Sequence, residues 1–164
     1  MEKAYFAGGC FWCITPTFRE MAGVASVTSG YSGGDEVQPS YEDVKHQRTG
    51  HRETICIQFD PAQVGFAQLL QIFLWSVDPF DAGGQFIDRG FSYTLAVYYL
   101  TEEQNRATEE ALQRLEQEAG KKPFVAVEAF KNFYPAEAYH QDYDLKNPEA
   151  FRKELMDSGR VQAE

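Results

Sequence analysis

The stretch RETICIQFDP (residues 52–61) reads as a strand more plainly than any other part of the chain. Glu53, Ile55, Ile57 and Phe59 fall on one face of an extended segment, and Thr54, Cys56 and Gln58 on the other. Asp60-Pro61 ends it. Working outward toward the N-terminus, a short helix near 41–46 precedes it, after YSGGDEVQPS (31–40), a loop by composition. VASVTSG (24–30) reads as another strand, and KAYFA (3–7) as a third that runs into Gly8-Gly9. Between these two a helix is expected, with Thr15 as N-cap, Pro16 in its first turn, an end near Met21 and Gly23 beyond. The two N-terminal cysteines then stand just ahead of it.

Toward the C-terminus, FAQLLQIFLWSV (66–77) places Phe66, Leu69, Leu70, Phe73 and Leu74 at helical spacing. Residues 78–90 form a long loop with three glycines, a length that in a compact domain usually serves function. FSYTLAVYYL (91–100) reads as a strand with Tyr93, Leu95, Val97 and Tyr99 on one face. Thr101-Glu102-Glu103-Gln104 is a capping-box pattern that opens a helix to about Ala119, closed by Gly120. FVAVEAF (124–130) is a further strand, followed by an aromatic loop from Phe133 to Tyr143 and a short helix near 149–156. The order β-α-β-β-α-β predicts an α+β fold, a two-layer ferredoxin-like plait with a loop-rich C-terminal extension over roughly 131–157. No linker or repeat divides the chain, so a single domain over 1–164 is expected.

The net charge of −10, with no basic segment, argues against binding a phosphate backbone. Aromatic residues make up 15% of the chain, enough to line a site as well as a core. The N-terminus MEKAYFAGGC has no apolar leader-like run and no stretch long enough to span a bilayer, which makes the cytoplasm the expected setting. Three cysteines (Cys10, Cys13, Cys56) do not make a disulfide framework and suit a reducing compartment.

GGCFWC (8–13) is the chemical centre of the sequence. Cys10 lies between a strand and a helix, where unpaired N–H groups and the helix dipole favour an anion. That makes it a candidate nucleophile with a lowered pKa. Cys13, three residues on, is close enough that a small shift forms a Cys10–Cys13 disulfide. Other uses of a C-x-x-C stay open at this stage: a structural pair, half of a zinc site, or a general thiol–disulfide exchanger. For zinc, the remaining Cys56, His46, His51 and His140 show no partner spacing. Cys56, between Ile55 and Ile57, reads as structural.

Glu53 shares the apolar face of its strand. Burial there disfavours the charged form and raises the pKa, leaving a neutral acid able to give up a proton at pH 7. The bland reading, a strand end that reaches water, stands beside it. Tyr41 and Tyr93 are hydrogen-bonding aromatics, with core packing the simpler account of Tyr93. Asp88 sits in the glycine-bearing loop, where a solvated turn residue is equally expected.

Taken together, GGCFWC, PSYEDV (39–44), TGHRETICIQFDP (49–61), DPFDAGGQFIDRGFSY (78–93) and KNFYPAEAYHQDYDLKNP (131–148) resemble, in order, the A-type peptide methionine sulfoxide reductase family. The resemblance spans residue 5 to about 148. It implies reduction of methionine-S-sulfoxide, free or in proteins, with no metal or organic cofactor and with thioredoxin to reset the enzyme; a monomer is expected. It implies Cys10 as nucleophile, Glu53 as the acid that protonates the sulfoxide oxygen, and Phe11 and Trp12 as the wall that holds the S-methyl group. Tyr41, Asp88 and Tyr93 match groups that position that oxygen. Cys13 matches the resolving thiol of relatives with the GCFWC form. The other readings are a general disulfide exchanger and a non-catalytic module that binds oxidised methionine.

The chain also departs from the family pattern. Many relatives carry resolving cysteines in a C-terminal tail, whereas NPEAFRKELMDSGRVQAE (147–164) has none. Many place Gly at position 13 and Glu two residues later, where Thr15 stands here. An Arg commonly follows the tyrosine of the GTQYR-like block; here Thr94 follows Tyr93, and Phe91-Ser92 precede it.

Overall fold

Strand β1 (Glu2–Gly8) leads into helix α1 (Phe11–Arg19), then strand β2 (Val24–Ser32) and the short helix α2 (Tyr41–Lys45) in a computed structural model that describes residues 1–158. Strand β3 (Arg52–Phe59) and helix α3 (Phe66–Ser76) follow, then a small hairpin of β4 (Gly84–Gln85) and β5 (Asp88–Arg89). A 3-10 turn (Phe91–Tyr93), strand β6 (Leu95–Tyr99), helix α4 (Glu102–Ala119) and strand β7 (Val125–Ala129) come next. The chain then passes through β8 (Tyr134–Pro135), a 3-10 turn (Ala138–His140), α5 (Tyr143–Lys146) and α6 (Pro148–Ser158). The end of the single domain expected over 1–164, residues 159–164, lies outside the described residues.

The fold is mixed α+β. Its main sheet has the order β7-β6-β1-β3-β2-β8, antiparallel throughout except for the β6–β7 pair. The alternation in 52–59 is decisive. Ile55, Ile57 and Phe59 join Ala4, Phe6, Leu95 and Val97 on the face that packs against Phe11, Ile14 and Phe18 of α1 and Leu69, Leu70 and Phe73 of α3. Phe6 is the hub: its ring stacks on Phe73 at 4.7 Å and tilts against Phe18 at 6.1 Å. The opposite face buries Tyr5, Ala7, Cys56, Ala96 and Tyr98 under Phe130 and Phe133. Cys56 therefore packs structurally, away from Cys10.

Two local expectations are corrected. Helix α1 starts at Phe11 with Cys10 as its N-cap, not at Pro16 with Thr15 as cap. Gly9, at φ 83, turns the chain in a conformation that a side chain would oppose, so the helix begins at once after β1. Pro16 lies inside the helix, and the Thr15 hydroxyl donates to the Phe11 carbonyl at 2.6 Å. The strand expected over 91–100 is shortened to Leu95–Tyr99. Phe91–Tyr93 forms a 3-10 turn instead, which carries Tyr93 off the strand face it was expected to share with Leu95 and Val97.

The C-terminal extension is anchored by charge and by ring stacking. Arg19 of α1 forms a two-pronged ion pair with Asp144 at 2.7 and 2.8 Å, and Trp12 stacks on Tyr143 with centroids 4.0 Å apart. The Gln141 side chain accepts the Ser29 N–H and donates to the Ser29 and Ala136 carbonyls. At the capping box of α4, Thr101 accepts the Gln104 N–H as expected, but the Gln104 side chain accepts from Leu100 and donates to Lys3, tying the helix to β1. Among the described residues, no helix is long and apolar enough to cross a membrane.

Candidate active site

Cys10 stands at the point where β1 ends and α1 begins, 7% exposed. The first turn of α1 brings Cys13 back toward it: the Cys13 N–H donates to the Cys10 carbonyl at 3.1 Å, and the two thiols are hydrogen-bonded. All three cysteines are in the reduced form. The helix N-terminus was expected to lower the Cys10 pKa, and here the expectation fails. The Cys13 hydrogen bond, burial and the nearby carboxylates of Glu53 and Asp88 push the thiol well above its ordinary value. At neutral pH Cys10 is a thiol.

Glu53 faces inward on β3, 1% exposed, opposite Tyr31 in the β2–β3 ladder. The Phe11 N–H, one of the unpaired donors of the first turn of α1, donates to its Oε1 at 3.1 Å. Burial, with Asp88 and Cys13 acting in the same direction, pushes its pKa up to about 8 against that hydrogen bond. Its Oε2 is buried and has no hydrogen-bond partner among the described residues. Glu53 is therefore a neutral carboxylic acid at pH 7, with one oxygen fixed and the other able to present a proton.

The Phe11 and Trp12 rings lie 6.3 Å apart, and both pack on Tyr41 and His140. Phe11 is fully buried beside Tyr31 and Tyr41, with centroids at 5.9 and 6.4 Å. Trp12 stacks on Tyr41 at 6.0 Å. Tyr41 opens α2, held by the bond from its N–H to Glu137 at 3.1 Å; Glu137 also accepts the Tyr31 hydroxyl at 2.9 Å. Desolvation first, with the neighbouring acidic groups acting in the same direction, keeps the Tyr41 and Tyr93 hydroxyls protonated.

Asp88 lies on the small hairpin. The long loop that contains it is ordered by Gln85, which is fully buried and exchanges hydrogen bonds with the backbone of Asp78. The Arg89–Asp81 ion pair at 2.6 and 2.8 Å braces the same loop. Cys10, Cys13, Glu53, Phe11, Trp12, Tyr41, Asp88 and Tyr93 thus converge from α1, β3, α2, the hairpin and the 3-10 turn.

His140 was not marked as a site residue from sequence. It is 1% exposed, and its ring lies 4.2 Å from that of Tyr41 and 5.5 Å from that of Trp12. The Trp12 Nε1–H donates to its Nδ1 at 3.1 Å, which leaves the ring proton on Nε2. Burial lowers its pKa and keeps it neutral. A lone histidine in an aromatic tail offers no periodicity to reveal this, because its partner lies 128 residues away. His51, by contrast, supports the 33–36 loop, taking the Gly34 N–H on Nδ1 with Nε2 at 2.8 Å from the Glu36 carbonyl. Among the described residues, no group of three or more His, Cys, Asp or Glu side chains is placed to hold a metal ion.

Residues 2–163 match the sequence model of the family described as "Peptide methionine sulfoxide reductase". The chain belongs to the peptide methionine sulfoxide reductase family. It is 47% identical over 161 residues to "Peptide methionine sulfoxide reductase MsrA 2" of Staphylococcus aureus, covering 97% of this chain and 91% of that one. It is 44% identical over 161 residues to "Peptide methionine sulfoxide reductase MsrA" of Bacillus licheniformis, covering 97% and 89%. Among solved structures of the family, reduced Mxr1 of Saccharomyces cerevisiae superposes with a TM-score of 0.85 at 26% identity, over 90% of this chain and 86% of that one. Methionine sulfoxide reductase A of Corynebacterium diphtheriae gives 0.81 at 27%, over 90% and 75%.

Proposed function

We propose that this protein reduces methionine-S-sulfoxide, free or within proteins, to methionine. The observation that carries the reading is the placement of a neutral, buried Glu53 against the first turn of the helix that Cys10 caps. Glu53 donates its proton to the sulfoxide oxygen as the Cys10 sulfur attacks the sulfoxide sulfur. Protonation weakens the S–O bond; as the oxygen passes to the Cys10 sulfur, that bond and the transient S–S bond to Cys10 break and methionine leaves. The Cys10 proton replaces the one that Glu53 has given up. The balance is one thiol and one sulfoxide consumed, one sulfenic acid on Cys10 and one methionine formed. Phe11 and Trp12 hold the S-methyl group, and Tyr41, Asp88 and Tyr93 orient the oxygen.

Cys13 then attacks the Cys10 sulfenic acid, releasing water and forming the Cys10–Cys13 disulfide. An external dithiol, thioredoxin by this reading, exchanges with it to restore two thiols. The contact between the two thiols supports this, as does the position of Cys56 on the far face of the sheet. Yeast Mxr1 has been solved "in complex with Trx2". We read the chain as one catalytic domain that acts as a monomer without metal or organic cofactor, in a cytoplasmic setting where dithiols stay reduced. The antiparallel order β6-β1-β3-β2, joined through α1 and α3, supports describing the core as a ferredoxin-like plait.

Incubation with dithiothreitol and the separated sulfoxide epimers tests the activity. The S epimer is converted to methionine and the R epimer persists; conversion of the R epimer, or of neither, refutes the reading. Insulin reduction without sulfoxide reduction would instead establish a general disulfide exchanger. Cys13→Ser separates the two half-reactions. Rapid-quench analysis gives one methionine per enzyme at an undiminished rate, after which thioredoxin supports no further turnover. Continued turnover with thioredoxin would remove Cys13 from the resolving role.

A further inference from the structure

Every residue around Tyr93 in its turn is gripped by a side chain from elsewhere, and two residues do the gripping. Arg52, 8% exposed, donates from Nε to the Thr94 hydroxyl at 2.9 Å. That hydroxyl donates in turn to the Phe91 carbonyl at 2.6 Å and closes the turn. The Arg52 guanidinium also lies over the Phe91 ring, 4.4 Å from its centroid. Its far side is held by Glu128 of β7 at 2.9 Å and the Tyr98 hydroxyl at 3.1 Å. Opposite, the Gln47 side chain meets Ser92 twice, donating to its hydroxyl at 2.8 Å and accepting its N–H at 2.9 Å. Gly90, at φ 123, admits Gln47: a Cβ there would lie 2.7 Å from the Gln47 side chain.

Phe91, Ser92 and Thr94 are the positions at which the chain departs from the family's usual GTQYR-like block. Here they are the handles of one clamp. Gln47 follows α2, which begins at Tyr41, and Arg52 immediately precedes Glu53 on β3, facing the other side of the sheet. One dipeptide thus places the acid on one face and anchors the Tyr93 turn from the other. A guanidinium suits this task because it stacks flat on an aromatic ring while its edge donates in fixed directions.

We propose that Arg52 and Gln47 are positioning residues that set the Tyr93 hydroxyl relative to Glu53 and the sulfoxide oxygen. Thr94 then functions without an arginine of its own at that position. The inference rests on the reductase reading of the site. A catalytic group displaced by an ångström loses about a hundredfold in rate, and loss of one well-placed donor costs about as much.

The test is a double-mutant cycle on single-turnover methionine formation, with kcat and KM measured separately and folding checked by thermal melting. Tyr93→Phe and Arg52→Ala each lower kcat about a hundredfold with KM little changed. The double variant is barely worse than either alone, because a misplaced hydroxyl has nothing left to lose. Should Arg52→Ala not fold, Gln47→Ala carries the same cycle, since it removes only the Ser92 contacts and its bond to the Lys45 carbonyl. Losses that multiply, or a folded Arg52→Ala enzyme with unchanged kcat, overturn the clamp. Tyr93→Phe without effect in the unaltered background overturns the Tyr93 role and the clamp with it. A parent protein that reduces no sulfoxide overturns the reductase reading itself, which keeps the two failures distinct.

Discussion

Cys10→Ser abolishes methionine formation, lowering the single-turnover rate on the order of a thousandfold or more. The thiol is the only group at the α1 N-cap that can both attack a sulfoxide sulfur and keep its oxygen as a sulfenic acid. A serine hydroxyl is a poorer nucleophile toward sulfur, and the forces that raise the Cys10 pKa act on a hydroxyl as well. The fold is expected to tolerate the exchange. Cys10 makes its N-cap contribution through its backbone, with no side-chain cap bond, so serine fits the same geometry. The measurement is methionine release under single-turnover conditions, beside a melting curve. A folded Cys10→Ser protein that releases methionine at the parent rate would remove Cys10 from the chemistry.

Glu53→Gln is expected to slow the reductive step by about a hundredfold or more, the usual worth of a well-placed general acid. Glutamine retains an oxygen to accept the Phe11 N–H, so the start of α1 keeps its partner. What is lost is the proton on Oε2. The pH dependence supplies the second readout. With a pKa of about 8, Glu53 is protonated through neutral pH, and the Glu53-dependent rate falls as pH rises past about 8. In the glutamine variant this loss is absent.

Stability follows the same group with a definite sign. Folding raises the Glu53 pKa from 4.5 to about 8, so between those values the folded state binds a proton that the unfolded state has released. Its stabilising contribution is complete below 4.5, declines by about 1.4 kcal/mol per pH unit through that window, and is gone above about 8. Denaturant titrations of parent and Glu53→Gln between pH 5 and 8 check this. An equal slope in both proteins would show that Glu53 is not the buried acid.

Much of the fold was legible wherever a periodic pattern ran long enough to average out local ambiguity. The alternation in 52–59 gave the strand, its core face and the inward direction of Glu53 together. The helix over 66–76 and the capped helix from Glu102 followed for the same reason, with several apolar or capping positions agreeing. Errors fell where one residue decided the outcome. Pro16 suggested a first turn, but the left-handed Gly9 turns the chain so that the helix begins at Phe11, five residues earlier. Tyr93 matched a strand period by spacing alone, while the contacts that bend its turn come from Gln47, 45 residues before Ser92.

The sequence by itself determined the order of the secondary elements, the core face of β3 and the reagents held in one short segment: Cys10, Phe11, Trp12 and Cys13. These are properties of neighbours along the chain, and local geometry is enough to bring them together. Only the tertiary structure decided how those reagents are charged and held. Cys10 is a neutral thiol even at a helix N-terminus, because the Cys13 hydrogen bond, burial and the nearby acidic groups raise its pKa there. Glu53 is a neutral acid because β3 and α1 together remove it from water. His140 faces Trp12, and Arg52 grips the Tyr93 turn, across 128 and 42 residues of chain. Desolvation and long-range contact arise only when distant segments pack, which no spacing along the chain encodes.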